Sequence, residues 1–151
     1  MDYTDAISNF FTYGEFIRSE TATRKGINNE PSPEALEALK MTARGMDSVR
    51  VLLGRPIHVS SGFRSLKLNT AVGGAKFSQH MLGQACDFTC PEYGTPSEIV
   101  DALIASDIFF DKAVTEFPES PNGGWVHVSW TTTPRRQAFV TYDGKSYASV
   151  G

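Results

Sequence analysis

Three side chains in this 151-residue sequence have the chemistry to hold a metal ion: His80, Asp87 and His127. The segment Ser78-Gln79-His80-Met81-Leu82-Gly83-Gln84-Ala85-Cys86-Asp87 places an imidazole on a loop and a carboxylate on the strand that follows. In Trp125-Val126-His127-Val128-Ser129-Trp130, period-2 alternation puts Val126, Val128 and Trp130 on one face and Trp125, His127 and Ser129 on the other. His127 therefore points away from the most apolar face. Two neutral imidazoles and a carboxylate are a standard set for a catalytic zinc, which takes three protein ligands and keeps a fourth position open. The oxygen-rich set that calcium needs is missing. On residue type alone, however, the trio reads equally well as ordinary loop and strand residues. The remaining histidine, His58, lies between Ile57 and Val59 and is expected to be packed or solvent-facing, outside any site.

The elements that must position these residues are readable from capping and periodicity. Thr12-Tyr13-Gly14-Glu15 has capping-box spacing and predicts a short helix running through Phe16 and Ile17. Asn28-Asn29-Glu30-Pro31 interrupts, and Ser32-Pro33 matches an N-cap followed by proline at the first helical position. From there Leu36, Leu39, Ala43, Met46, Val49 and Leu53 lay one apolar stripe along a helix of about five turns, closed by Gly54 and Pro56. Thr95-Pro96-Ser97-Glu98 is a second capping box, leading through Ile99, Val100, Leu103 and Ile104. Strand-like runs cover residues 57–61, 85–89, 112–117, 125–130 and 137–142, and Asp143-Gly144 reads as a tight hairpin turn. The expectation is an α+β domain over residues 1–151, a small mainly antiparallel sheet with helices packed on one face.

Composition narrows the function classes. Fourteen basic against seventeen acidic residues give a net charge of −3, which offers no cationic field for nucleic acid. No apolar run reaches the ~18 to 20 residues of a membrane span, and the acidic start Met-Asp-Tyr-Thr-Asp is unlike a signal peptide, so the expectation is a cytoplasmic product. Cys86 and Cys90 would lie ~13 Å apart along a strand, too far for a disulfide. Without a second Cys/His pair at ligand spacing they read as small buried hydrophobes.

Ser78-x-His80-x-x-Gly83-x-Ala85-x-Asp87, followed some forty residues later by Trp125-Val126-His127-Val128-Ser129, resembles the D-alanyl-D-alanine carboxypeptidase-like metallopeptidases of the M15 family. Ser60-Ser61-Gly62-Phe63-Arg64-Ser65, with Leu68-Asn69 and Val72-Gly73-Gly74, is similar to that family's strand, arginine turn and short helix. The resemblance spans about residues 56–130 and implies the fold shared with lysostaphin and hedgehog domains. The stretch Phe11 to Asn29 is similar to the start of small phage and prophage members.

The resemblance implies that His80, Asp87 and His127 bind Zn²⁺, and that Arg64 holds a substrate carboxylate or stabilises an oxyanion. Ser78 orients either substrate or its own loop. Trp125 and Phe63 either line the cleft or simply pack. Many family members carry an acid three positions before the last histidine ligand, or a histidine two before it; here Gly124 and Trp125 stand there. If the two strands flanking the loop from Pro118 to Gly124 pair as a hairpin, Glu116 falls opposite His127 or within one register step of it, which makes Glu116 the candidate general base. A slip of one residue would turn it away. Glu119 is the runner-up.

The function implied is zinc-dependent hydrolysis of peptidoglycan stem or cross-link peptides containing D-amino acids, by a monomer acting on the bacterial wall in the manner of a phage lysin or a virion-associated protein. Carboxypeptidase and endopeptidase versions stay open. The alternative is a noncatalytic zinc-binding virion or structural protein that retains the fold.

Overall fold

The apolar stripe from Leu36 to Leu53 forms the long helix α3, Pro33–Leu53, in a computed structural model that describes residues 1–151. The Ser32 side chain accepts the Ala35 N–H at 3.2 Å, Pro33 occupies the first turn, and Gly54 ends the helix at φ 65°. Its inward residues Leu39, Ala43, Met46 and Val49 are fully buried. Each large apolar side chain so buried contributes roughly 1.5–3 kcal/mol. Helix α5, Pro96–Ala105, opens on a reciprocal box in which Thr95 and Glu98 satisfy each other's backbone N–H groups. It buries Ile99, Val100 and Leu103. At its far end the Arg136 guanidinium donates to the carbonyls of Leu103 and Ser106, which closes carbonyls that a helix terminus leaves unpaired.

Six strands form one sheet: β1 His58–Ser61, β2 Ala85–Thr89, β3 Lys112–Glu116, β4 Trp125–Ser129, β5 Gln137–Thr141 and β6 Ala148–Ser149. Their order is β1-β2-β4-β3-β5-β6, antiparallel throughout except for the parallel β3/β5 pair. Alternation sorts the two faces as expected. Cys86, Phe88, Val126, Val128 and Ala113 join the residues of α3 and α5 in a single core. Asp87, His127, Val114 and Glu116 point the other way, so the open face of the sheet is the floor on which a site can be built. Both cysteines are free and buried; Cys90 Sγ lies 3.1 Å from the Pro56 carbonyl.

The short elements depart further from expectation. Helix α1, Tyr13–Ile17, is present at the Thr12 box, but α2, Glu20–Lys25, also forms before the Asn28-Asn29 break. Helix α4, Leu66–Ala71, follows the arginine turn, capped by the Ser65 hydroxyl. The loop holding His80 is a 3-10 turn, Gln79–Leu82. Asp143-Gly144 is part of the longer link from β5 to β6 and not a two-residue hairpin turn, because β6 pairs only through Phe139↔Ser149 and Val140↔Ala148. No helix is long and apolar enough to cross a membrane.

Candidate metal centre and cleft

His80 reaches the open face because its turn is pinned at both ends. The Ser78 hydroxyl accepts the His80 N–H at 3.1 Å, and Gly83 leaves the turn at φ 75°. A Cβ on Gly83 would stand 2.3 Å from the Ala35 carbonyl, so glycine is what lets the turn dock on α3. Thr42 Oγ1 completes the docking by donating to the Gly83 carbonyl at 2.8 Å. Within the turn, His80 Nδ1 donates to the Gly62 carbonyl at 2.6 Å. The other nitrogen, Nε2, is thereby aimed at Asp87.

Asp87 and His127 are directly opposed in the β2/β4 ladder and share a face. Asp87 Oδ1 lies 3.1 Å from His80 Nε2 and 3.0 Å from His127 Nδ1. The ligand atoms of all three residues fall within 4.8 Å of one another, a spacing that can hold a metal ion. Burial pushes the Asp87 carboxyl up, but the charge of His80 and the hydrogen bonds from His127 and His80 outweigh it and hold the group well below the usual carboxylate range. A carboxylate held ionised and a histidine whose far nitrogen is fixed by a backbone carbonyl fit a tetrahedral N₂O site with one open position.

Arg64 stands beside this trio. Its Nη2 donates to Asp87 Oδ2 at 3.3 Å, Nε to Ser61 Oγ at 3.0 Å and Nη1 to Asn69 Oδ1 at 3.2 Å. The guanidinium therefore orients the metal-site carboxylate from its outer oxygen while one edge faces the cleft. Two asparagines, neither of them expected in the site, hold the arginine turn. Asn69 donates onward to the Ala75 carbonyl at 2.9 Å; buried Asn29 donates to the carbonyls of Ile17 and Phe63 and accepts the Ser65 N–H. The only sequence signal for them was position, Asn69 within the resembling segment and Asn29 in an apparent break.

Glu116 is not opposite His127, nor one step from it. Val114 holds that place and Glu116 pairs with Trp125, two residues along. Because the strand period is two, this displacement keeps Glu116 on the face of His127. Its Oε2 accepts the Trp125 indole N–H, while Oε1 has no donor within the protein. Burial, then the charge of Asp87, push its carboxyl up, opposed by His127, the indole and Arg64. Gly124 has φ 77°, and a Cβ there would sit 2.1 Å from the Glu116 carbonyl. An acid three positions before His127 therefore has no room in this hairpin.

Glu119 is exposed in the loop joining β3 and β4 and does not line the cleft. Ser78 does line it, with its oxygen engaged as the turn's cap. Phe63 is buried in the core, whereas Trp125 forms cleft wall with Phe117, their rings 5.2 Å apart. His58 is exposed on β1, away from the trio. The cleft over the metal-site residues has a volume of about 870 Å³, and Phe77, Phe139 and Tyr147 add further aromatic wall.

Comparison with known proteins agrees with this geometry. The family model described as Peptidase M15 matches residues 9–129, most of the chain. The chain belongs to the peptidase M15 family. Among curated relatives, the zinc D-Ala-D-Ala carboxypeptidase of Streptomyces albus G is 34% identical over 85 residues, covering 56% of this chain. The chain spans only about a third of that relative's length, 32%. The M15 match runs from just before α1 through the last residue of β4, so it includes the arginine turn, the His80 turn and both strands of the Asp87/His127 pair.

Proposed function

We propose that this M15 chain is a zinc-dependent peptidase that hydrolyses amide bonds in peptidoglycan stem or cross-link peptides containing D-amino acids. The observation that carries the reading is the convergence of His80 Nε2, Asp87 Oδ1 and His127 Nδ1 beneath a cleft that also holds a carboxylate oxygen with no donor in the protein, Glu116 Oε1. The peptidoglycan substrate follows from the family and from the name of the Streptomyces relative.

In this reading His80, Asp87 and His127 would hold zinc, which when bound lowers the pKa of a water toward ~7 and polarises a carbonyl. Glu116 Oε1 accepts the proton of the attacking water and returns it to the departing amine. Its half-buried position raises its pKa toward the operating pH, which favours both transfers. The Trp125 indole fixes the orientation of the carboxylate through Oε2. Arg64 keeps Asp87 aligned and presents positive charge to the negative charge that develops on the carbonyl oxygen. Ser78 orients the His80 turn.

A noncatalytic zinc-binding protein was suggested by Gly124 and Trp125; the carboxylate of Glu116 on the same face favours the hydrolase. A lysin-type setting is the finer part of the proposal, supported by the likeness of Phe11 to Asn29 to small phage members. Mass spectrometry of peptidoglycan fragments incubated with zinc-loaded protein tests the whole reading. Release of a defined peptide that is lost with chelator, and in His127→Ala and Glu116→Gln, supports it and distinguishes terminal trimming from cross-link cleavage. Stoichiometric zinc binding without cleavage of any wall type would overturn it in favour of the noncatalytic protein.

A further inference from the structure

Lys112 stands on the cleft floor without a partner. It begins β3, an interior strand flanked by β4 and β5, so it is not the edge lysine that sheets use against aggregation. It shares the face of Val114 and Glu116 and lines the cleft, half-buried. The Lys112 ammonium makes no hydrogen bond and no ion pair within the protein and is therefore free to meet a ligand in the cleft. Its cross-strand neighbour on β5 is the neutral Gln137, and on the β4 side the Ser129 hydroxyl is engaged by the Lys112 backbone N–H. The nearest carboxylate in sequence, Asp111, is occupied by Arg135 and Gln79.

The other cleft cations are placed differently. Arg64 is tied to Asp87, and the Lys145 ammonium, also without an ion pair, belongs to the exposed link between β5 and β6, so Lys112 is the unpaired cation on the sheet itself. Along β3 the floor therefore reads Glu116, Val114, Lys112, with Val114 directly opposite His127. At strand rise Glu116 and Lys112 are ~13 Å apart, one on each side of the metal-site residues. The cleft thus has a polarity, with the proton-transferring carboxylate at one end and an unpaired lysine at the other, ~7 Å along the strand from Val114 opposite His127.

We propose that Lys112 is a specificity-determining residue that receives a carboxylate of the substrate peptide, on the side of the metal site away from Glu116. This rests on the peptidase reading. The carboxylate belongs either to the C-terminus of the peptide or to a residue within it whose carboxyl is free. A single ammonium with three donors suits a carboxylate approached from variable directions, where a rigid arginine fork would demand one.

The test compares synthetic D-amino-acid-containing stem peptides in three forms: free acid throughout, C-terminal amide, and free C-terminus with the internal carboxyl amidated. Binding to zinc-loaded protein is measured by calorimetry, and hydrolysis by mass spectrometry, for wild type, Lys112→Gln and Lys112→Arg. The wild type is expected to bind the free acid about five- to tenfold more tightly than one amidated form, and which form suffers identifies the carboxylate. Lys112→Gln abolishes that preference, raising KM for the free acid with kcat nearly unchanged, and Lys112→Arg retains most of it. Equal binding of all three peptides by the wild type, or an undiminished preference in Lys112→Gln, would overturn the proposal. A Lys112-dependent binding preference with no hydrolysis of any peptide upholds the carboxylate site while removing the peptidase reading.

Discussion

Glu116 illustrates how much one side chain's role depends on its immediate partners. In the proposed mechanism the carboxylate serves as a base, suited to it because burial and Asp87 raise its pKa while the Trp125 indole keeps one oxygen fixed. Replacing it by Gln preserves shape and removes the proton acceptor. The expected result is a fall in kcat of about 10²- to 10⁴-fold with zinc affinity unchanged, read from peptide hydrolysis beside a zinc titration. Trp125→Phe is subtler. The indole N–H stabilises the charged carboxylate, so losing it raises the Glu116 pKa further, and the base form is reached only at higher pH. The acid limb of the kcat/KM profile should therefore move to higher pH in Trp125→Phe, with the plateau lowered less than in Glu116→Gln. A limb that stays in place would show that Glu116 does not control that ionisation.

At the level of elements, the site rests on how strands and turns are locked together. Asp111, just before β3, accepts the Arg135 side chain at 2.7 and 2.8 Å and the Gln79 amide at 3.0 Å, which connects the sheet to the turn carrying His80. The Arg135 hydrogen bonds, against burial and with help from Gln79, hold its carboxyl at about 2. A depressed carboxyl stabilises the fold fully above its unfolded pKa of ~3.9, and that contribution vanishes as pH falls through about 2. Asp111→Asn should therefore cost about 2 kcal/mol at neutral pH and flatten the loss of Tm between pH 4 and pH 2, seen by thermal melts across that range. The β3/β4 hairpin carries a second expectation. Gly124→Asp in a Glu116→Gln background should not restore hydrolysis, because φ 77° and the Glu116 carbonyl leave no place for the new side chain, and its Tm should fall. These cases also mark what the sequence makes legible. The faces of β4 and the span of α3 follow from periodicity, since one apolar face had to meet the core. The sheet position of Glu116 was off by two residues but correct in face, because parity survives an even shift. The roles of Asn29 and Asp111 were not legible because each acts through groups that only tertiary folding brings near, whereas Asn69 was legible as a motif position but not as the partner of Arg64. Gly83 was legible as a motif glycine, but its reason, the approach of α3, was not.

Over the whole molecule, the three metal-site residues join parts of the chain that no covalent cross-link connects: a turn docked on α3, strand β2 and strand β4, with the arginine turn tied to Asp87. His127 and Asp87 are forty residues apart in sequence, and the unfolded chain has no preformed site. An ion bound only by the folded state stabilises it by RT ln(1 + [L]/Kd), roughly 2.7 kcal/mol at a hundredfold excess over Kd. For a chain of this length that corresponds to a rise in Tm of roughly 5–10 °C. Zinc should produce that rise in wild-type protein, chelator should reverse it, and Asp87→Asn should abolish it. Glu116→Gln should keep it in full, because the proposed mechanism gives that residue proton transfer and the metal group contains only His80, Asp87 and His127. Differential scanning calorimetry with and without zinc therefore separates the two halves of the site. A wild-type melt indifferent to both zinc and chelator would remove the metal centre, whereas a zinc response lost in Glu116→Gln would move Glu116 into it.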